Sequence, residues 1–488
     1  MSMSPSRGRV RSAPRSRTVA SGAALPWAAL ATLVLLAMAI LFGGASRTNA
    51  LRIALIQLAA LPALVMAIET FVKTGLWSQH RFSVALLCAA LAIPLIQLIP
   101  LPPSVWTGLP GRDSAVLALE LTGLTPGWSP LSLTPDQTWA AFLGVLPPAA
   151  MFLAVLTLDP VWRQRLIWIV LAGSVAGIVL AALQGATGGA RALYPWNWTS
   201  SEVISGLFAN RNHLATYCAA TLPLAAVLAA AAFRQSQRRG QPQGRIPPAV
   251  WLGLLYVVLM VIALGAVRSR AGILLLPIAM ALGLLAAWVS SGRGRPSPVL
   301  LALTAAGAAA VLALGIFAIV PIMAAFDTGG APEGRFEDWP TVIQAAEAYL
   351  PVGSGLGSFD PVYRSFEPLQ RLDGTYFNQA HNDYLEILLE TGWLGMAALA
   401  GFLVWFAKRT WAAWTAPAGG TGDLARAGGT AVLVILLHSG ADYPLRTLTI
   451  SVLFALCCAL LELGRTAPGS AARRMDTPHS LAKVDPSR

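Results

Sequence analysis

Charge is scarce in this sequence. Asp, Glu, Lys and Arg make up 11% of its 488 residues, where soluble domains carry about 25%. Apolar residues reach 56%, and a single soluble core of that composition would leave too much apolar surface in water. A soluble globular protein is therefore excluded. Cysteine is also rare. Cys88, Cys218, Cys457 and Cys458 all fall inside apolar runs, with neither metal-ligand spacing nor a pairing pattern, and they read as small packing residues. No His/Cys/Asp set has zinc spacing, no acid cluster suits a pair of metal ions, and no Gly-x-Ser-x-Gly elbow offers a hydrolase serine. No internal repeat stands out. The net charge of +12 resembles a nucleic-acid footprint only until the basic residues are placed. They lie in short segments between apolar runs, so no nucleic-acid partner is expected. Disorder is confined to the two ends.

What the sequence has in abundance is apolar runs of membrane-spanning length. About 20 such residues cross a bilayer core as helix. Twelve runs qualify, at about residues 23–43, 51–70, 82–100, 139–157, 166–185, 212–232, 249–267, 271–289, 299–325, 391–407, 428–445 and 447–463. The expected fold is an all-α integral membrane protein of about 12 transmembrane helices. Residues 1–22 form an Arg-rich cytoplasmic tail, 23–325 carry helices one to nine, 326–390 form a large periplasmic loop, 391–463 carry helices ten to twelve, and 464–488 form a second cytoplasmic tail. With Arg7, Arg9, Arg11, Arg15 and Arg17 inside, about two thirds of all Lys and Arg fall on the cytoplasmic side and most acids on the other, as positive-inside topology requires. The first run is read as a retained span, because it is long for the apolar core of a cleaved leader.

Function is sought in polar residues that defy this pattern. Val267-Arg268-Ser269-Arg270-Ala271-Gly272 is a tight outer turn with two arginines on the disfavoured side. They either snorkel to lipid phosphate or bind an anion through the guanidinium fork. His381-Asn382-Asp383-Tyr384-Leu385-Glu386 closes the long loop, with His381 at or before a helix N-terminus. There the local positive field favours a neutral imidazole able to accept a proton, although a histidine that merely caps the helix is the plainer alternative. Gly334-Arg335-Phe336-Glu337-Asp338-Trp339 precedes a glycine-rich run, Pro351–Phe359. That run follows no βαβ pattern, so it reads as a tight turn packing the loop on the membrane domain rather than a dinucleotide motif. In Gly206–Ala215, Asn210, Asn212 and His213 either meet sugar hydroxyls or pack a helix mouth. Asp442 and Arg446 sit together near the last hairpin and read as an ion pair supporting the site.

Arginines and one histidine thus gather on the outer face. Such a set suits displacement of a phosphate leaving group from a lipid carrier, with arginines stabilising a pyrophosphate, a histidine taking a proton from an attacking hydroxyl, and a lateral groove holding the lipid. A transporter or lipid-linked glycan flippase is the rival from another class, but ion-coupled transporters place ionisable groups at mid-depth, where these spans have almost none. A structural subunit of an export complex would need neither the arginine turn nor His381.

His381-Asn382-Asp383-Tyr384-Leu385 with Glu390-Thr391-Gly392-Trp393-Leu394-Gly395 resembles the signature of the O-antigen ligase / O-antigen polymerase superfamily. Asn210–Ala215, Ser269–Gly272, Arg335 to Trp339 and the Pro351–Phe359 turn are similar to further motifs of that family, in family order, over about residues 200–450. The resemblance implies a multi-pass protein of the bacterial inner membrane and a periplasmic, metal-independent, inverting glycosyl transfer that needs no cofactor. The donor would be an undecaprenyl-diphosphate-linked glycan. The acceptor would be a lipid A-core sugar in a ligase, another lipid-linked repeat unit in a polymerase, or a protein hydroxyl in a third branch. By position, His381 matches the base, and Arg270 and Arg335 match arginines that bind the diphosphate. Arg268 has no family counterpart, and its assignment to the diphosphate rests on location alone. Asn210, Asn212, His213, Asn382, Asp442 and Arg446 are expected to contact glycan or support the site.

Overall fold

The computed structural model describes residues 26–45, 49–196, 204–239, 246–267, 269–292, 305, 335–371 and 377–464. Nearly all of what it describes is helix: α1 Trp27–Phe42, α2 Ala50–Thr74, α3 Leu76–Gln97, α4 Pro103–Trp106, α5 Asp113–Leu121, α6 Pro135–Thr157, α7 Pro160–Ala186, α8 Arg211–Arg238, α9 Pro248–Val267, α10 Arg270–Ser291, α11 Arg335–Tyr349, α12 Phe359–Phe366, α13 Asp383–Thr415, α14 Gly420–Ser439 and α15 Leu448–Leu463. Two-residue strands β1 (Pro100–Leu101) and β2 (Ser129–Pro130) pair antiparallel. The protein is an all-α membrane protein. Among the described residues nine helices are long and apolar enough to cross a bilayer, and Trp27–Phe42 and Leu448–Leu463 are apolar but shorter. These eleven coincide with eleven of the twelve expected runs. The ninth, 299–325, lies outside the described residues, as do both tails.

Side-chain size sorts the helices between rim and centre. Helix α2 exposes Leu51, Leu58, Val65 and Val72, a stripe at every second helical turn, and buries Ile56, Ala60, Ala63, Ala67 and Phe71 on the opposite side. Large branched residues thus face lipid, while three alanines, with Ile56 and Phe71 at either side of them, face the bundle. Helix α8 has no lipid stripe: 94% of its apolar window is buried. Its alanines leave little side chain between backbones, and small residues of this kind let neighbouring helices approach closely. α7, α9, α10 and α14 pack around it.

Helix α13 departs most from its expected bounds. It starts at Asp383, just after His381 as expected, eight residues ahead of the apolar run at 391–407, and it is interrupted at Gly392, whose φ of 56° and ψ of −147° are non-helical. A side chain there would collide with the Pro351 carbonyl, so only glycine fits. Into this break fits the 351–359 turn, with Trp393 N–H donating to the Pro351 carbonyl at 2.9 Å. The glycine run is therefore a packing turn on the membrane domain. α11 and α12 lie over the same place and share a small core with it, built from Val342, Ala345, Tyr349, Phe359, Tyr363 and Leu389.

Candidate active site

Four segments far apart in sequence meet where α13 begins. Asn382 caps α13, its side-chain oxygen accepting from the N–H groups of Tyr384 and Leu385 at 3.0 and 3.2 Å, as an N-cap should. Its amide donates to the Gly440 carbonyl at 3.2 Å. His381 immediately precedes this cap with a φ of 47°. Among the described residues no other non-glycine has positive φ, a conformation that strains an L-residue and tends to persist at functional sites. The ring is held from several sides. Nδ1 lies 3.1 Å from Asp442 Oδ1, and Tyr443 and Phe377 stand 4.8 and 5.6 Å away, centroid to centroid.

Asp442 is wholly buried. Its Oδ1 also accepts from the Tyr443 N–H at 2.9 Å, and its Oδ2 from Asn212 Nδ2 at 2.8 Å. Burial pushes this carboxyl upward, but the His381 hydrogen bond and the fields of His213, His381 and His438 outweigh it and hold it below the usual carboxylate range. An ionised carboxylate only accepts, so Nδ1 carries the proton and Nε2 is the basic nitrogen. The chain of bonds continues. Ser269 Oγ donates to Asn212 Oδ1 at 2.8 Å and accepts from Gly272 N–H at 3.1 Å, capping α10. Asp442, Asn212 and Ser269 thereby connect His381 to the helix start that carries Arg270, whose side chain is exposed.

A second cluster braces the first. Arg446 lies 2.7 Å from Glu390 Oε2 and 3.2 Å from Glu386 Oε1. Burial alone would lower the Arg446 pKa, but Glu386, Glu390 and Asp383 outweigh it and hold the pKa above its ordinary value. The other oxygen of Glu390 accepts from Gly357 and Phe359 N–H at 2.9 and 3.3 Å. Gln97 clasps the same turn, donating to the Glu390 carbonyl at 2.8 Å and accepting from Leu356 N–H at 2.9 Å. The ion pair expected between Asp442 and Arg446 is replaced. Each finds its partner on another segment, because the 444–446 helical turn separates them and α13 supplies two carboxylates one helical turn apart.

The Asn210 side chain caps α8, accepting from Asn212 N–H at 2.8 Å. His213 is buried, with Nδ1 2.7 Å from Thr447 Oγ1 and its ring 5.1 Å from Tyr443. Arg335 opens α11, and one turn later Trp339 Nε1 donates to the Ala380 carbonyl at 3.1 Å, which fixes α11 beside His381. Arg268 lies outside the described residues. Sequence reasoning passed over Ser269 as a link, Gln97, and the Glu386–Glu390 pair. The two glutamates were visible as acids one turn apart beside His381, whereas nothing local marked Gln97. Among the described residues, no three His, Cys, Asp or Glu side chains are grouped to hold a metal ion.

A cavity of about 390 Å³ lies between α3, α6, α13 and α15, lined almost wholly by apolar side chains. Leu356, Ile387 and Thr391 form its end nearest the braced turn, and Ser83, Trp405 and Cys458 the far end.

Residues 255–400 match the family model described as O-antigen ligase. Over this stretch, somewhat under a third of its length, the chain is similar to the O-antigen ligase family. The O-antigen ligase match takes in Ser269, Arg270, Arg335, Trp339, the 351–359 turn, His381 and Asn382, but ends before Asp442 and Arg446. No curated protein matches the chain. The likeness fits a multi-pass membrane protein of broadly ligase or polymerase type.

Proposed function

We propose that the chain transfers a glycan from an undecaprenyl-diphosphate carrier to an acceptor hydroxyl at the periplasmic face of a bacterial inner membrane, as an O-antigen ligase does. The observation that carries this reading is the His381 imidazole oriented by the buried Asp442 carboxylate at 3.1 Å. With Nδ1–H committed to Asp442, Nε2 accepts the proton of the acceptor hydroxyl as its oxygen attacks the anomeric carbon. The bond from that carbon to the diphosphate oxygen breaks, and the pair of electrons leaves with the diphosphate. Attack opposite the leaving group inverts the anomeric centre, and no step calls for a metal ion. Arg270 and Arg335, with Arg268 in the same turn, bind the departing diphosphate. The apolar cavity between α3, α6, α13 and α15 takes the first isoprene units of the carrier. Residues 326–390 form the periplasmic loop that closes over the reaction, and Asn210, Asn212, His213, Asn382 and Arg446 support it.

Deleting the gene and displaying the surface glycans on a gel tests this. Core lacking attached polymer, with polymer still made on the carrier, supports a ligase. Core bearing a single repeat points to a repeat-unit polymerase of the same superfamily. Carrier-linked repeats stranded on the cytoplasmic side would instead mean a flippase and overturn the reading.

A further inference from the structure

The segment between α3 and α6 has no part in the proposed chemistry, yet its surface is unusual for an extramembrane loop. Helix α5 buries none of its residues. Leu117 and Leu121 are 53% and 79% exposed, and Leu124 and Trp128 beyond the helix are 59% and 71% exposed. Leu117 and Leu121 lie one turn apart and so share a face. Asp113 and Glu120 sit along one edge of that face, and the partly buried Ala115, Val116 and Leu119 turn toward the protein. The helix thus has three sectors: protein, water, and an uncovered apolar one.

Its height relative to the membrane is set by Arg112, which directly precedes it. This arginine is 1% exposed. It donates to the carbonyls of Leu131 and Gly353 at 2.5 and 3.3 Å and lies 5.6 Å over the Tyr349 ring. Burial lowers its pKa, with Tyr349 acting in the opposite sense. Gly353 is packed against the Glu390 carbonyl and Gly392, at the break where α13 gives way to its apolar span. The start of α5 is therefore pinned level with the end of a membrane span. At the other end of the segment, the β1–β2 pairing returns the chain to the same place. The spans that flank the segment also expose apolar side chains at their adjoining ends, Ile96 and Ile99 at the end of α3 and Trp139 and Leu143 on α6.

We infer that residues 113–128 form an interfacial element whose Leu117, Leu121, Leu124 and Trp128 insert into the lipid of the adjoining bilayer leaflet. The occupant is lipid rather than a protein, because Arg112 and Gly353 hold the segment level with the end of a membrane span, because the spans on either side expose apolar side chains at that same end, and because tryptophan at such a level suits the boundary between headgroups and acyl chains. α3 and α6 also form one wall of the apolar cavity, so the element sits at the head of that wall. The inference holds whether or not the glycosyl-transfer reading does.

The test uses the full chain in proteoliposomes of phosphatidylethanolamine and phosphatidylglycerol that include a phospholipid with a photoactivated diazirine on its acyl chain. Lipid adducts are then mapped by mass spectrometry. Adducts on residues 113–128 are expected, falling roughly tenfold in Leu117→Glu/Leu121→Glu while adducts on α2 and α9 persist. The single variant Leu121→Ser, at a side chain that supports no packing, is expected to lower them by less and keep the protein monodisperse. Labelled spans with no adducts on 113–128, or adducts unaffected by both variants, would overturn the inference. So would a protein neighbour crosslinked at Leu121 in membranes in place of lipid.

Discussion

The two ends of the bundle both bury charge, and they bury it differently. At the end away from His381, Glu462 is wholly buried. Its Oε1 meets Arg409 at 2.6 Å and His80 Nδ1 at 2.9 Å, and its Oε2 accepts from Trp405 at 3.0 Å. Nearby, Arg426 is bonded to Ser290, Asp423 and the carbonyls of Ala413, Ala416 and Pro417, and Arg234 also pairs with Asp423. These charges satisfy one another inside the protein and tie α3, α8, α13, α14 and α15 together. At the His381 end, Arg446, Glu386 and Glu390 form a comparable lock, but beside it His381 keeps 15% of its side chain exposed and Arg270 stands at the surface. A closed polar network specifies structure. An open one, rigidly backed, can act on something else.

That contrast can be broken by substitution. The largest effect is expected for His381→Ala, which should lower glycan transfer by about 10²-fold or more with the protein still accumulating in membranes. Wild-type activity there would remove the base. Asp442→Asn should be next, with a loss of up to about 10²-fold in kcat and little change in KM. A change confined to KM would assign Asp442 to glycan binding instead. Arg270→Ala should raise the donor KM about tenfold, while Lys73→Ala at the opposite end leaves it unchanged. Equal effects would argue for a general charge or insertion role. Glu462→Gln should leave transfer per folded molecule intact but cost about 3 kcal/mol of stability by stranding Arg409, read as a lower thermal midpoint in detergent. Reduced kcat without that destabilisation would erase the distinction between the two ends. The exposed pair Arg364–Asp360 should matter least, with Arg364→Ala shifting stability by no more than about 0.5 kcal/mol.

Much of the fold was legible because bilayer thickness is a one-dimensional constraint. A run of apolar residues announces a span whatever lies next to it, and eleven helices fall where such runs do. Helix starts were legible for the same local reason, although the residues that cap them, Asn210, Ser269 and Asn382, each serving N–H groups two or three residues ahead, were not singled out as caps. The partners of Asp442 and Arg446 were not. Asp442 and Asn212 are separated by 230 residues, and Ser269 and Asn212 by 57, and no periodicity links positions that far apart. The pairing of two neighbours in sequence was the natural expectation, and it failed because α13 offers Arg446 better-placed carboxylates. The family match likewise stops short of Asp442, so the sequence marked Asp442 as a supporting acid but not as the partner of His381.

The amino-acid order alone determined that this chain lives in a membrane, roughly where it crosses, and that His381 stands at the head of a helix, because these follow from hydrophobic run length and backbone capping, which act over a few residues. Tertiary packing decided which acid holds that histidine, which glutamates hold Arg446, and where α5 lies relative to the spans. Those choices depend on segments brought together only when helices with small-residue faces close around α8, and a buried polar group takes whichever partner that closure leaves within reach.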